Sequence, residues 1–233
     1  MSFIFCVAVN SIQATQISSI LKSIPIYEQQ ILTVMFRQLM LDDQFAYTLF
    51  GSKPITHKGI FFNTDTQNFI ASWKVWKKYS HHINDNFVFL EQSLPELLEI
   101  HLVNKKSVVQ CIESNTHVFE EILGAKTLQE ILEDILQAED IFDAIGESQV
   151  LYGILLGYGI ENAREFDIDL QDPIPFNRET PKPNRLNLPY FQTYSARERT
   201  DLRHTYENER RRILSIYSKG NFLEITLTQL LAP

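Results

Sequence analysis

Cysteine is nearly missing from this chain: Cys6 and Cys111 are the only two in 233 residues. Two cysteines cannot build a disulfide framework, nor a zinc site by themselves. Positive charge is also short. Lysine and arginine number 21 against 29 acidic residues, a net charge of −8, and an acidic chain lacks the basic surface that general nucleic-acid binding needs. No apolar run approaches the roughly 18–20 residues of a membrane-spanning helix. No Gly-x-Ser-x-Gly elbow, EF-hand spacing, internal repeat or sustained heptad occurs. Gly157-Tyr-Gly159 lacks the third glycine of a dinucleotide loop and does not clearly follow a strand. No cofactor and no metal ion are therefore expected. What the chain does have is a 44% apolar fraction, enough for a real core, in one domain of moderate size or two small ones.

The stretch Phe36 to Ile55 organises the rest. Ile31, Leu32, Met35, Phe36, Leu39 and Met40 recur at helical spacing. Phe45, Tyr47, Leu49 and Phe50 follow as an aromatic plug, Gly51 offers a helix stop, and Pro54 forces extended chain. This is a helix-to-strand corner. Its functional reading places Asp43, Lys53 and His57 on a pocket; its plainer reading is a folded corner with solvated charges.

Residues 1–14 carry two readings. Phe3 to Val9 followed by Ser11-Ile-Gln-Ala14 resembles a secretory signal without its basic start, since the first lysine is Lys22. The alternative is a buried first strand or helix turn. Cleavage would make the protein periplasmic or secreted; otherwise it is cytoplasmic. Residues 15–169 then form an α+β core, 170–194 a proline-rich surface strap, and 195–233 C-terminal helices packing back on the core.

Within the core, two helices broken near Pro25 cover residues 16–50. Short strands are expected at 54–57 and 59–63, then a helix through Tyr79 capped by Thr64 or Asp65, with Phe69, Trp73 and Trp76 on its buried face. His81-His82 reads as a loop. Runs 86–91, 97–103 and 107–113 look like strands, the last two forming a hairpin about Asn104-Lys-Lys106. The expected fold is predominantly helical with an antiparallel sheet of about four to five strands (54–63 and 86–113) and helices on one face. Glu99 and His101 share a strand face two residues apart, as an acid–base pair or as an exposed polar face.

Helices resume at 116–123 and 127–138, the latter behind a Thr127-Leu-Gln-Glu130 capping box. Nine acidic residues face the single Lys126 between Val118 and Glu147, an acidic surface. Gly153 and Gly157, four apart, point to close helix packing. Five prolines between 170 and 190 exclude helix or central strand and define the strap. Ser195 to Lys219 is a basic helix with Ser195 as cap and Glu198 at the box position; seven cations face four acids. Arg210, Arg211 and Arg212 are a candidate interaction surface, and charge attraction would dock this helix on 118–147.

Four motifs together, Phe45-Ala-Tyr-Thr-Leu-Phe-Gly-Ser-Lys-Pro54, Val103-Asn-Lys-Lys106, Leu155-Leu-Gly-Tyr-Gly-Ile-Glu-Asn-Ala163 and Asn221-Phe-Leu-Glu-Ile-Thr-Leu227, make the chain resemble an uncharacterised protein family of chlamydia-like intracellular bacteria from about Ile31 onward. The resemblance implies a host-associated bacterium and an envelope or secreted location, and brings no activity. With no local motif joining nucleophile, base and orienting group, the first expectation is a non-enzymatic interaction protein with a protein partner. The alternatives are a hydrolase or transferase assembled from dispersed residues, with Asp43, His57, Glu99 and His101 as candidates, and an intracellular effector or regulatory module.

Overall fold

The corner is where the chain turns from helix to sheet. The structure, a computed structural model, describes residues 19–167, 174–177, 180 and 182–231; the signal reading of residues 1–14 lies outside them, as do Pro173 and Pro181. A helical turn over 19–23 stops at Pro25, which cannot extend it. Helix α1 (Ile26–Arg37) follows and loosens into a π-helical turn, Gln38–Asp42. Gln44 takes a left-handed conformation (φ 67°), and the short α2 (Ala46–Phe50) ends in extended strand β1 (Ile55–Phe61). Phe45, Tyr47 and Leu49 are fully buried, each contributing roughly 1.5–3 kcal/mol of apolar burial.

Gly51 does not stop α2 by a left-handed turn. Its backbone is extended, and a Cβ there would sit 2.5 Å from Glu209 Oε2 and 2.6 Å from the Tyr47 carbonyl. Glycine is needed for close approach instead: Glu209 crosses over it to accept from the Ser52 N–H at 2.8 Å.

The class is the one expected, predominantly helical α+β with a small antiparallel sheet. The details of the sheet differ. β1, β2 (Phe87–Ser93) and β3 (Leu97–Asn104) form three strands in the order β1-β3-β2. Residues 54–63 make one strand rather than two, because Lys58-Gly59 stays paired to Ile100 and Glu99. The hairpin is β2–β3, closed through 94–96, and residues 105–114 are helix α4 (Lys105–Ser114). Asn104 caps it through Ser107 N, and Val108 and Ile112 are buried four apart on one face. Helical spacing overrode the β-branched pair Val108-Val109.

Helices cover both sheet faces, not one. Leu98, Ile100 and Leu102 of β3 join Ile60 and Phe87 in a core with α1, α2, α3 (Gln67–Lys77), and the C-terminal α10 (Ala196–Tyr217) and α11 (Phe222–Leu231). Trp73 and Trp76 belong to this core. The residues between them on the strands, Ile55 and Val103, join a second core built with α4, α5 (Thr116–Leu123), α6 (Leu128–Gln137), α7 (Ile141–Ala144), α8 (Gln149–Leu155) and α9 (Ile160–Asp167). Among the described residues no helix is long and apolar enough to cross a membrane.

The Thr127 and Ser195 caps form as expected. Glu198, however, does not cap its own helix. Its carboxylate accepts from the N–H groups of Glu161 and Asn162 at the start of α9, while Asn162 Oδ1 accepts from Tyr194 and Ser195 N–H. The first turns of α9 and α10 thus cap each other. A Cβ at Gly153 would come within 3.0 Å of Ala163 Cβ, the close helix packing expected of it, but Gly157 lies past the end of α8 with φ 76°. The strap is not confined to the surface: Phe176, Leu186, Leu188 and Phe191 are buried in the first core, and Ile174–Pro175 (β4) pairs with Gln192–Thr193 (β5). Basic α10 packs on α2 and α11 rather than on the acidic helices.

Candidate functional site

The second core covers only part of its sheet face. Beyond Ile55 and Val103, the next cross-strand pair is His57 opposite His101, and then Gly59 opposite Glu99. All four positions share one face, because side chains alternate along a strand. Gly59 offers no side chain, and the Glu99 carboxylate leans toward His57, Oε1 lying 3.5 Å from His57 Nε2. The outcome is a cluster in which one ligand atom from each of His57, Glu99 and His101 lies within 4.8 Å of the others. The two rings sit 4.7 Å apart at 32°.

His101 is 4% exposed and its Nε2 lies 3.2 Å from the Tyr152 hydroxyl on α8. Burial drives its pKa down to about 3, with the neighbouring His57 adding to the effect and Asp140 opposing it. His57 is also lowered, by burial first, against the pull of Glu99. Both rings are neutral at ordinary pH. His57 Nε2 is 3.5 Å from Glu99 Oε1 but, although buried, makes no well-formed hydrogen bond among the described residues. His57 and Glu99 keep a third and a quarter of their side chains open to solvent, so the cluster is reachable.

Beside His57, along the free edge of β1, runs a cleft of about 310 Å³. Asp43, Lys53 and His57 all line it, with Gln44, Tyr158 and Tyr190. Lys53 is 5% exposed and has no carboxylate partner among the described residues; its Nζ lies 5.9 Å from the Tyr158 ring centroid. Burial alone lowers its pKa to about 8. Asp43 points one oxygen at Lys58 (2.6 Å), while its Oδ2 is buried without a partner among the described residues; burial raises its pKa.

Of the four candidates for catalysis, the structure therefore brings His57, Glu99 and His101 together and leaves Asp43 across the cleft. The Glu99–His101 face is not simply an exposed one. Tyr152 and Asp140 were not singled out from sequence, and no local signal marks them. The arginines are elsewhere: Arg212 donates to the Phe50 carbonyl, Arg211 donates to Asn208, and Arg210 acts electrostatically on Tyr47. Adjacent His81 and His82, their rings 3.9 Å apart at 42°, lie in a 3-10 turn and do not join the cluster. Cys111 is a half-buried thiol with its pKa raised to about 12, mainly by burial, and so is not a thiolate nucleophile. Compared with protein-family models, curated proteins and solved structures, the chain matches none.

Proposed function

We propose that this protein is a metal-dependent enzyme of the hydrolytic kind, with one divalent transition-metal ion held by His57, Glu99 and His101. The observation that carries the reading is the convergence of those three side chains on one sheet face. Two imidazoles and a carboxylate are a donor set that zinc and related ions accept, with further positions left for water or substrate. Imidazole must be neutral to bind a metal, and burial keeps both rings so. The buried His57 Nε2, 3.5 Å from Glu99 Oε1 and without a well-formed hydrogen bond among the described residues, fits a missing ligand bond. Tyr152 supplies the outer hydrogen bond that fixes a ligating ring. Glu99 and the nearby Asp140 place negative charge around a divalent ion. When bound, such an ion supplies Lewis-acid polarisation and a water that ionises near neutral pH. The chain's own part is to orient the ligands and to open the adjoining cleft to a substrate.

The interaction-protein reading draws on the exposed Phe61 and Phe62 at the end of β1, but scattered surface aromatics are common on folded chains.

Calorimetric titration of the chelator-treated full chain with Zn²⁺, together with Co²⁺ absorption spectra, tests the proposal. One site per chain is expected, weakened at least about tenfold in His57→Ala and in Glu99→Gln, with circular dichroism unchanged. Equal binding by both variants, or none by the wild type, overturns it. Cleavage of a p-nitrophenyl ester by the Zn²⁺-loaded wild type but not by Glu99→Gln is expected; no turnover refutes the catalytic half.

A further inference from the structure

Two charged side chains left short of a counterpart line one cleft: Lys53, 5% exposed and with no carboxylate partner among the described residues, and Asp43, whose Oδ2 is buried without a hydrogen-bond partner among them. Buried polar groups are ordinarily satisfied, and a lysine this deep is ordinarily paired. An unmatched cation and an unmatched acceptor share the walls of a single cavity. From this convergence we infer that the β1-edge cleft binds a small organic acid that also carries a hydroxyl or amino group, its carboxylate on Lys53 and its donor on Asp43.

The chemistry follows from what each group lacks. Lys53 is a cation without an anion, so it calls for a negative group. Asp43 Oδ2 accepts only, so it calls for a hydrogen-bond donor. Lys58 already occupies the other Asp43 oxygen, which leaves one acceptor and so one donor to be matched. Tyr158 and Tyr190 close the sides. About 310 Å³ is at the small end of ligand cavities, which suits a metabolite of a few carbons and not a peptide or nucleotide. The pKa of Lys53 near 8 is consistent with this: without an anion the charge is held at a cost, and a bound carboxylate would raise it again. The inference does not depend on an ion at the histidine–glutamate cluster. If both hold, the acid's remaining groups lie on the side of the cleft that His57 shares with that cluster.

The test is labelling of Lys53 by trinitrobenzenesulfonate near pH 8 on chelator-treated full chain, read by peptide mass spectrometry. Probes are malate, lactate, serine, succinate and inorganic phosphate. The hydroxy and amino acids should slow labelling of Lys53 at least about tenfold more than succinate, which lacks the donor, while surface lysines such as Lys126 are unaffected. In Asp43→Asn the preference over succinate should vanish with the fold intact by circular dichroism. Equal protection by all carboxylates, protection by phosphate alone, or protection by none overturns the inference. Zn²⁺ titration of Lys53→Met separates the two claims: it should bind zinc as the wild type does while losing malate. Loss of zinc binding there would show that cleft and cluster are one site and overturn their independence.

Discussion

Replacing Lys53 with methionine should make the protein more stable. The side chain is 5% exposed and has no carboxylate partner among the described residues, so the folded state keeps a charge out of water. The gap between an ordinary lysine at 10.5 and about 8 here corresponds to roughly 3 kcal/mol. Contact with the Tyr158 ring returns up to about 1 kcal/mol of it. Methionine keeps the aliphatic stem and drops the charge, so the variant should gain about 2–3 kcal/mol near pH 7. That corresponds to a melting temperature higher by about 4–12 °C for a chain of this size. The pH dependence fixes the cause. Below about 8 both states hold the proton and the penalty is complete. Between about 8 and 10.5 the unfolded chain still binds a proton that the folded chain has lost, so the wild type gains stability as pH rises. The advantage of Lys53→Met should therefore fade over that window. Urea denaturation of both proteins at about pH 7 and about pH 10 measures it, and the difference between them cancels the ionisation of tyrosines common to both. A variant less stable than wild type at pH 7, or an advantage that does not change with pH, would refute the reasoning. A protein that retains so costly a lysine gives up stability for another purpose.

Two further outcomes follow from the corner and the helix behind it. Gly51→Ala should cost about 2–4 kcal/mol in urea denaturation, since its Cβ would displace the Glu209–Ser52 hydrogen bond and press on the Tyr47 carbonyl; a loss under about 1 kcal/mol would mean the corner adapts. Glu28 is buried and accepts from Lys78 Nζ (2.7 Å), Tyr79 (2.5 Å) and Tyr27 (3.0 Å), and the first two hold its pKa below 4.5. Its contribution is complete above pH 4.5 and is lost as pH falls through the folded value, so Glu28→Gln should flatten the acid limb of a stability-versus-pH curve, and an unchanged limb would refute the assignment.

Signals carried by neighbouring residues were legible in the sequence. The Thr127 capping box, the Ser195 cap, the break at Pro25 and the buried Trp73–Trp76 face each depend on spacings of three or four. Residues 107–113 misled because Val108-Val109 favours strands locally, while burial of Val108 and Ile112 against the second core decided for helix. The cluster was legible as residues but not as a place. His57 and His101 meet only because β1 pairs with β3 in a register set by the whole sheet, and a shift of one position would turn them to the other face. Asp43, Lys53 and His57 could be grouped from sequence because they flank one corner. Tyr158 and Tyr190 could not, because they arrive from later elements. The role of Glu198 was hidden for the same reason: its local position suggests a cap for α10, whereas its partners begin α9.

The far wall of the cleft has a consequence for biosynthesis. Pro189 and Tyr190 come from the strap, which is secured where Asn162 and Glu198 knit α9 to α10. A ribosome releases those residues long after the sheet and its histidines have emerged. A half-made chain would thus carry His57, Glu99 and His101 without the chamber beside them, and the cleft would be the last of these features to be completed.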